Sequence, residues 1–230
     1  MENTAIKHIF FDLDHTLWDF DKNSLLAFKR VFQKHRIGTP HIDAFMAVYK
    51  PINLGYWKLY RNEKITKAQL RLGRLKDTFA KMEVHFTDEK LNEMARDYID
   101  ELPGNNHLFE GAIEVLHYLK QKYTLHVITN GFEEVQHKKL KNSKIEHYFT
   151  TVTTSGAVGA KKPSPKVFRH ALQLAKAESS QSMMIGDSLE ADIEGAHGVG
   201  MQAIFFNSRN EAAPKSYCSV KRLKDLIPLL

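Results

Sequence analysis

Asp12 and Asp14 stand two residues apart at the end of Ile6-Lys7-His8-Ile9-Phe10-Phe11, a short apolar run rich in strand formers. Acids spaced i, i+2 along an extended chain point to the same side. Two close carboxylates repel, so a proton or a divalent cation has to neutralise one of them. That division suits nucleophilic catalysis, with one ionised acid attacking while the other stays protonated as general acid. The ordinary alternative is a turn built from Asp12, Asp14 and Thr16.

Three further features fall where strands are expected to end. Thr129-Asn130-Gly131 follows the run Leu125-His126-Val127-Ile128-Thr129; a hydroxyl, an amide and backbone N–H groups at a helix start make an anion cradle, or simply a strand-to-helix cap. In Gly159-Ala160-Lys161-Lys162-Pro163-Ser164-Pro165 a lysine precedes a helix start. It is placed to hold a phosphoryl oxygen as a point charge, or to be a solvated loop lysine. In Ile185-Gly186-Asp187-Ser188-Leu189-Glu190-Ala191-Asp192, Asp187 follows an apolar strand and Asp192 falls about one turn later. Hard carboxylate oxygens suit magnesium; the plainer reading has Asp187 as a helix N-cap and Asp192 as a first-turn acid favoured by the helix dipole.

The elements that must position these residues can be read from periodicity. After Asp19 the pattern turns helical: Leu25, Phe28, Val31 and Phe32 recur at helical spacing, Thr66 with Gln69 forms a capping-box signal, and Thr87 opens a helix striped by Leu91, Met94, Ala95, Tyr98 and Ile99. Leu102-Pro103-Gly104 breaks the chain. Beyond it, helices alternate with strands at 125–129, 148–154, 182–186 and 201–206, and Ser164-Pro165 is a cap and first-turn pair. Alternation implies an α/β fold, a parallel sheet with helices on both faces, whose ligands bind outside the carboxyl ends of the strands. The helical stretch 19–103 interrupts this pattern, so the expected organisation is a core of 1–18 plus 104–230 carrying a helical cap of 19–103.

The chain has 230 residues, 43% hydrophobic and 26% charged, with a net charge of +6. That composition excludes disorder as the main state, and no apolar run of eighteen or more residues offers a membrane helix. The first residues carry acids inside their apolar stretch and do not read as a secretory signal. A lone Cys218 permits no internal disulfide, which points to a reducing cytoplasm. Between Lys50 and Lys76 lie eight basic residues against Glu63 alone, and residues 83–103 then hold seven acids against Lys90 and Arg96. Such a basic stripe can attract nucleic acid. No helix-turn-helix, zinc or RNA-binding signature accompanies it, and two solvated helix faces of opposite sign packed side by side is the reading favoured here.

Each signal is modest alone; their order is not. Asp-x-Asp-x-Thr after the first strand, Thr-Asn-Gly, Lys-Pro and Gly-Asp-x4-Asp resemble the haloacid dehalogenase-like hydrolase superfamily along the whole chain, with the helical insert in the position of that family's first-type cap. The resemblance implies a Rossmann-like core and a Mg²⁺-dependent phosphatase acting on a small phosphorylated substrate, with no stable nucleic-acid complex and no membrane partner. It implies that Asp12 forms an aspartyl-phosphate and that Asp14 protonates the leaving oxygen and then activates water. It further implies that Thr129, Asn130 and Gly131 hold the phosphoryl group, that Lys162 neutralises it, and that Asp12, the Asp14 backbone carbonyl and Asp187 bind Mg²⁺. Thr16, Ser188 and Asp192 would support these groups. Lys162 is chosen over Lys161 because it immediately precedes Pro163. Many relatives have Gly where His15 stands. Dehalogenases of the superfamily generally lack an acid at the position of Asp14, so its presence favours phosphate esters. A narrower resemblance, carried by Phe10-Phe11-Asp12-Leu13-Asp14, Lys50-Pro51, Tyr56-Trp57, Ile65-Thr66 and Ile128-Thr129-Asn130-Gly131-Phe132, is to bacterial 5′-nucleotidases. It makes Tyr56, Trp57 and Tyr60 candidates to stack on a base, against an aromatic face packed in the cap. The alternatives are a phosphatase for sugar phosphates or other small organic phosphates, a phosphomutase, and a non-enzymatic nucleic-acid-binding protein.

Overall fold

The computed structural model describes residues 5–38 and 42–230. In chain order its strands and α-helices are β1 (His8–Phe11), α1 (Phe20–Lys34), α2 (Ile42–Arg61), α3 (Lys67–Lys81), α4 (Asp88–Glu101), α5 (Ala112–Lys120), β2 (Thr124–Thr129), α6 (Glu133–Asn142), β3 (Phe149–Thr154), α7 (Ser155–Val158), α8 (Pro165–Ala175), β4 (Ser182–Gly186), α9 (Gly195–His197), β5 (Gln202–Phe206) and β6 (Ser219–Val220). The chain divides into two compact units, Met1–Phe20 with Asn106–Leu230, and Asp21–Asn105. No helix among the described residues is long and apolar enough to cross a membrane.

The first unit is an α/β layer structure. Its sheet runs β3-β2-β1-β4-β5-β6 with every neighbouring pair parallel. Chain order moves outward from β1 on one side and from β4 on the other, so the two meet at a topological switch point, where open parallel sheets bind ligands. Phe11 pairs with Val127 on β2 and with Ile185 on β4, and the Asp12 N–H donates to the Ile185 carbonyl at 2.9 Å. The register therefore brings the ends of β1, β2 and β4 level. β2 and β4 are buried almost throughout, as strands covered on both faces are; only the buried His126 interrupts the apolar stretch 125–128 of β2. On one face Phe10, Ile128 and Met184 pack with Val167, Phe168 and Ala171 of α8. Ser164 caps that helix and Pro165 opens it.

The second unit holds α2 to α4 and nearly all of α1. Thr66 and Gln69 make the reciprocal capping box, with bonds of 3.2 and 2.8 Å, and Thr87 caps α4. Its centre is aromatic: the Phe28 ring stacks on Tyr98 at 4.2 Å and meets Tyr49 edge-on at 4.7 Å. Arg74, buried, lies over Tyr98 at 5.1 Å and donates to Asn53 Oδ1 at 2.9 Å. Lys76 of the basic run reaches Asp88 of the acidic run at 2.7 Å, and Lys34 and Arg30 of α1 pair with Asp97 and Glu101 of α4. Exposed pairs of this kind contribute at most about 1 kcal/mol each. They place the two charge blocks on helix surfaces packed within one unit.

Inside the first unit, the buried His126 of β2 stacks on Phe10 at 4.5 Å, with Nε2 3.1 Å from His8 Nδ1 and Nδ1 2.8 Å from Thr151 Oγ1. Burial, and then the neighbouring His8, push His126 down to about 4. An unfolded chain takes up that proton near the ordinary value of about 6.5. Stability is therefore whole above about 6.5 and declines as pH falls toward 4, by about 2 kcal/mol at pH 5 from this group. Urea midpoints measured at pH 7 and pH 5 should differ markedly in the wild type and much less in His126→Leu. An equal difference in the two proteins would show that His126 is not the source.

Candidate active site

The end of β1 delivers Asp12 to the middle of the sheet, where its Oδ1 lies 2.6 Å from Lys162 Nζ. Lys162 comes from the loop before α8 and is 2% exposed. Its ammonium also donates to Asp192 Oδ1 at 2.6 Å and to the Ile128 carbonyl at 2.8 Å, so all three of its donors are used. Asn130 fixes the lysine's backbone from both sides, donating to the Lys162 carbonyl at 3.0 Å and accepting from its N–H at 2.8 Å. The Asn130 side chain is thereby spent on positioning Lys162, and the backbone N–H is what that residue retains for an anion.

Asp187 and Asp192 follow β4. Ser188, not Asp187, caps the turn that follows: its side chain accepts from the Ala191 N–H at 3.1 Å. The turn, Leu189–Glu194, is π-helical, a wide turn found often at functional sites. It carries Asp192, 1% exposed, back to the strand end. One Asp192 oxygen accepts from Lys162 and the other from the Ser188 N–H at 3.0 Å. Gly186 leaves room for this carboxyl, since a Cβ there would lie 2.3 Å from Asp192 Oδ2. Asp187 Oδ2 lies 3.4 Å from Arg209 Nη1.

Asp12, Asp187 and Asp192 each bring a carboxylate oxygen within 4.8 Å of the others. One buried ammonium does not balance three carboxylates. Asp12 is raised to about 7: burial pushes it up most, Lys162 pulls it down, and Asp192 and Asp14 push it up. Asp187 is held well above the usual carboxylate range by burial and by Asp12 and Asp192. Burial works against the charge of Lys162, but Asp12 and Asp192 outweigh it and raise the lysine above its usual value. The cluster therefore calls for further positive charge, supplied by protons or by a cation with hard oxygen preference. Both Asp192 oxygens are already bonded, which leaves Asp12 and Asp187 as the carboxylates that can hold such an ion.

Asp14 lies in a separate arrangement. Its Oδ1 accepts from Lys139 Nζ at 2.6 Å and its Oδ2 from Gln136 Nε2 at 3.0 Å, both donors coming from α6. The same Gln136 nitrogen lies 2.6 Å from Thr129 Oγ1, which also accepts from the Gly131 N–H at 3.1 Å. With both lone pairs of the Thr129 hydroxyl taken, its proton is left to donate to a bound oxygen. His15 has φ +64°, the left-handed region open to glycine. The chain thus keeps the bend of a glycine-bearing loop while carrying a side chain there. Thr16 is buried, and its Oγ1 has no hydrogen-bond partner among the described residues.

Tyr56, Trp57 and Tyr60 lie on α2 in the second unit. The Tyr56 hydroxyl donates to Asp77 at 2.7 Å, and its ring fills the space a Cβ at Gly73 would need. Trp57 and Tyr60 meet edge to face at 5.7 Å. Tyr56 is thus committed to packing α2 on α3. Three residues of the first unit escaped the sequence reading: Gln136, Lys139 and Arg209. For the first two a signal existed, since Gln136 and Lys139 share the buried face of α6 with Val135 and Leu140; polar residues on a stripe where apolar ones belong mark a site. Arg209 carried no such signal.

The model of the haloacid dehalogenase-like hydrolase family matches residues 9–206. The chain belongs to that family. It is 30% identical over 226 residues to the pyrimidine 5′-nucleotidase YjjG of Escherichia coli, covering 96% of each chain. It is 32% identical over 203 residues to a glyceraldehyde 3-phosphate phosphatase of Pyrococcus abyssi, covering 87% of this chain and 81% of that one. Among solved structures, the haloacid dehalogenase-type hydrolase YfnB of Bacillus subtilis, bound to magnesium, superposes with a TM-score of 0.88 at 25% identity, over 98% of this chain and 99% of that one. The chain is accordingly a haloacid dehalogenase-like hydrolase of phosphate monoesters.

If the Asp192 carboxyl anchors this family member's lysine as described, Gly186→Ala should be costly. The added methyl meets a side chain pinned at both oxygens, and overpacking of this kind costs about 1–3 kcal/mol. Turnover of p-nitrophenyl phosphate should fall at least ~10-fold, since small displacements at a site are amplified in rate. Gly55→Ala, where a Cβ meets nothing within 4 Å, should leave turnover unchanged. Unchanged turnover in Gly186→Ala would show that Asp192 does not set the geometry of the site.

Proposed function

We propose that this hydrolase is a Mg²⁺-dependent 5′-nucleotidase that works through an aspartyl-phosphate on Asp12. The observation that carries the chemistry is the Lys162 ammonium, buried and bonded at 2.6 Å to Asp12 Oδ1, beside a second acid two residues on. Asp12 attacks phosphorus as the bond to the leaving oxygen breaks, and Asp14 gives that oxygen its proton. Water then attacks the acyl-phosphate, giving its proton back to Asp14 and releasing inorganic phosphate and the Asp12 carboxylate. Lys162 and the Thr129 hydroxyl hold charge on the phosphoryl oxygens, with the backbone N–H groups of Asn130 and Gly131. Positioning and electrostatics of this kind supply most of the catalysis in phosphoryl transfer.

The donor set fits Mg²⁺: oxygen ligands only, in a site short of positive charge. Asp12, Asp187 and the Asp14 backbone carbonyl would hold the ion. When bound, it supplies charge neutralisation for the transferring phosphoryl group. We read Asp21–Asn105 as the cap of the family's first type, inserted between β1 and the rest of the sheet, with Trp57 and Tyr60, rather than the committed Tyr56, as its candidates for contact with a base. The preference for nucleotides is supported by the 30% identity to YjjG across 96% of both chains. The relative named for glyceraldehyde 3-phosphate supports the second reading, a small sugar phosphate. The lone Cys218 accords with a reducing compartment, and we place the enzyme in the cytoplasm.

Inorganic phosphate release should be metal-dependent, abolished by EDTA, and faster from pyrimidine nucleoside monophosphates than from glyceraldehyde 3-phosphate. The reverse ranking would keep the mechanism and overturn the nucleotidase assignment. Asp12→Asn should lower turnover by at least ~10³-fold, as for other nucleophile replacements, while folding normally, since the amide oxygen still accepts from Lys162 and Asp192 still pairs its charge. Substantial activity in that variant would overturn the aspartyl-phosphate.

A further inference from the structure

We infer that Lys139 and Gln136 are positioning residues for Asp14: from one face of α6 they fix which of its two oxygens carries the proton in the reaction. This rests on the acid–base reading of Asp14 given above. The two donors stand at i and i+3, on one side of the helix. Lys139 is 2% exposed and Gln136 is fully buried. Burying an ammonium is costly unless it is paired, and the partners of Lys139 include Asp14 Oδ1 at 2.6 Å, the face of the Trp18 ring, 4.2 Å from Nζ, and the Phe20 ring at 5.5 Å. The aromatic face contributes a further attraction for the cation. Gln136 holds the other oxygen, Oδ2, at 3.0 Å.

The two oxygens are therefore held unequally. A charge-assisted bond at 2.6 Å is roughly twice as strong as a neutral amide bond. Oδ1 stays on Lys139, and Oδ2 is the oxygen whose bond is exchanged more cheaply. In the first half-reaction the proton leaves Oδ2 for the departing alkoxide as the phosphorus–oxygen bond breaks. In the second, Oδ2 takes the proton of the water that attacks the phospho-aspartate. Lys139 holds the carboxyl in one orientation through both. The third residue of Thr-Asn-Gly belongs to the same arrangement. A Cβ at Gly131 would lie 2.3 Å from Gln136 Nε2, so this glycine leaves the space that Gln136 occupies between Asp14 and Thr129.

The test compares an alkyl monoester, cytidine 5′-monophosphate, whose leaving oxygen needs a proton, with p-nitrophenyl phosphate, whose leaving group needs none. General acid catalysis contributes ~10²–10⁴-fold, and loss of orientation forfeits part of it. In Lys139→Met, kcat/KM, which reports the first half-reaction, should fall ~10–100-fold on the nucleotide and less than ~3-fold on the aryl ester; Lys139→Arg should recover most of the loss. In an Asp14→Asn background, Lys139→Met should cost nothing further on the nucleotide. Should Lys139→Met fail to fold, Lys139→Gln carries the same comparison. Equal losses of kcat/KM on the two esters, or a full further loss on top of Asp14→Asn, would overturn the inference and make Lys139 a structural residue. The two readings fail differently. If Asp14→Asn discriminates between the esters and Lys139→Met does not, the positioning role alone falls. If Asp14→Asn itself lowers kcat/KM for both equally, the acid–base role falls and takes this inference with it.

Discussion

The buried ammonium of Lys162 holds together four stretches of chain that are far apart in sequence: the end of β1 through Asp12, the backbone of β2 through the Ile128 carbonyl, the turn after β4 through Asp192, and its own loop before α8. A lysine has three protons to donate, and each is directed to one of these partners. Removing any one partner would leave a buried charge or a buried carbonyl unsatisfied, which is costly in a medium of low dielectric. The parallel register of β1, β2 and β4 is what brings the partners level, and the Asn130 side chain, bonded to both sides of the Lys162 peptide, keeps the lysine from drifting along the strand ends. Sheet, loop and turn are therefore mutually constrained through one nitrogen atom.

The two acids at the end of β1 show how two residues of separation become two chemical environments. Asp12 sits with Lys162 among like charges and is raised to about 7, with burial the largest cause. Asp14 retains a fifth of its side-chain surface and meets a different lysine, Lys139, from the opposite part of the chain. Each aspartate has its own lysine, and the pairs do not exchange partners. Such separation suits a reaction in two steps, where one carboxyl forms and breaks a covalent bond while the other moves a proton twice. A single shared lysine would couple the two events.

Local chemistry made much of this legible in the sequence. The capping box at Thr66 and Gln69, the cap at Thr87 and the Ser164-Pro165 start are all set within three or four residues, and the structure has each of them. Asp12, Lys162, Asp187 and Asp192 were legible as candidates because strand ends in a parallel sheet converge. What could not be read were the bonds between distant side chains. Gln136 and Lys139 meet Asp14 across 122 and 125 residues, and no periodicity spans such a separation. The capping role first open to Asp187 falls instead to Ser188, because the turn after β4 widens to a π-helix and begins one residue later.

The proposed mechanism engages phosphorus rather than what phosphorus is attached to. In it Lys162, Thr129, the backbone N–H groups of Asn130 and Gly131 and the carboxylate cluster all serve a phosphoryl group, and none of them would distinguish a nucleoside from a triose. Relatives about equally similar to this chain are accordingly named for a pyrimidine nucleotide and for glyceraldehyde 3-phosphate. Substrate choice must then reside in side chains that can differ without disturbing the Lys162 arrangement. Tyr56 is a poor candidate to vary freely, since its hydroxyl and ring are already committed to Asp77 and to the space at Gly73. Trp57 and Tyr60, half-buried on the same helix, offer aromatic surface whose replacement leaves that α2–α3 contact in place. On the proposed function the demands of chemistry and of recognition would fall on different residues, so that one could change while the other is kept.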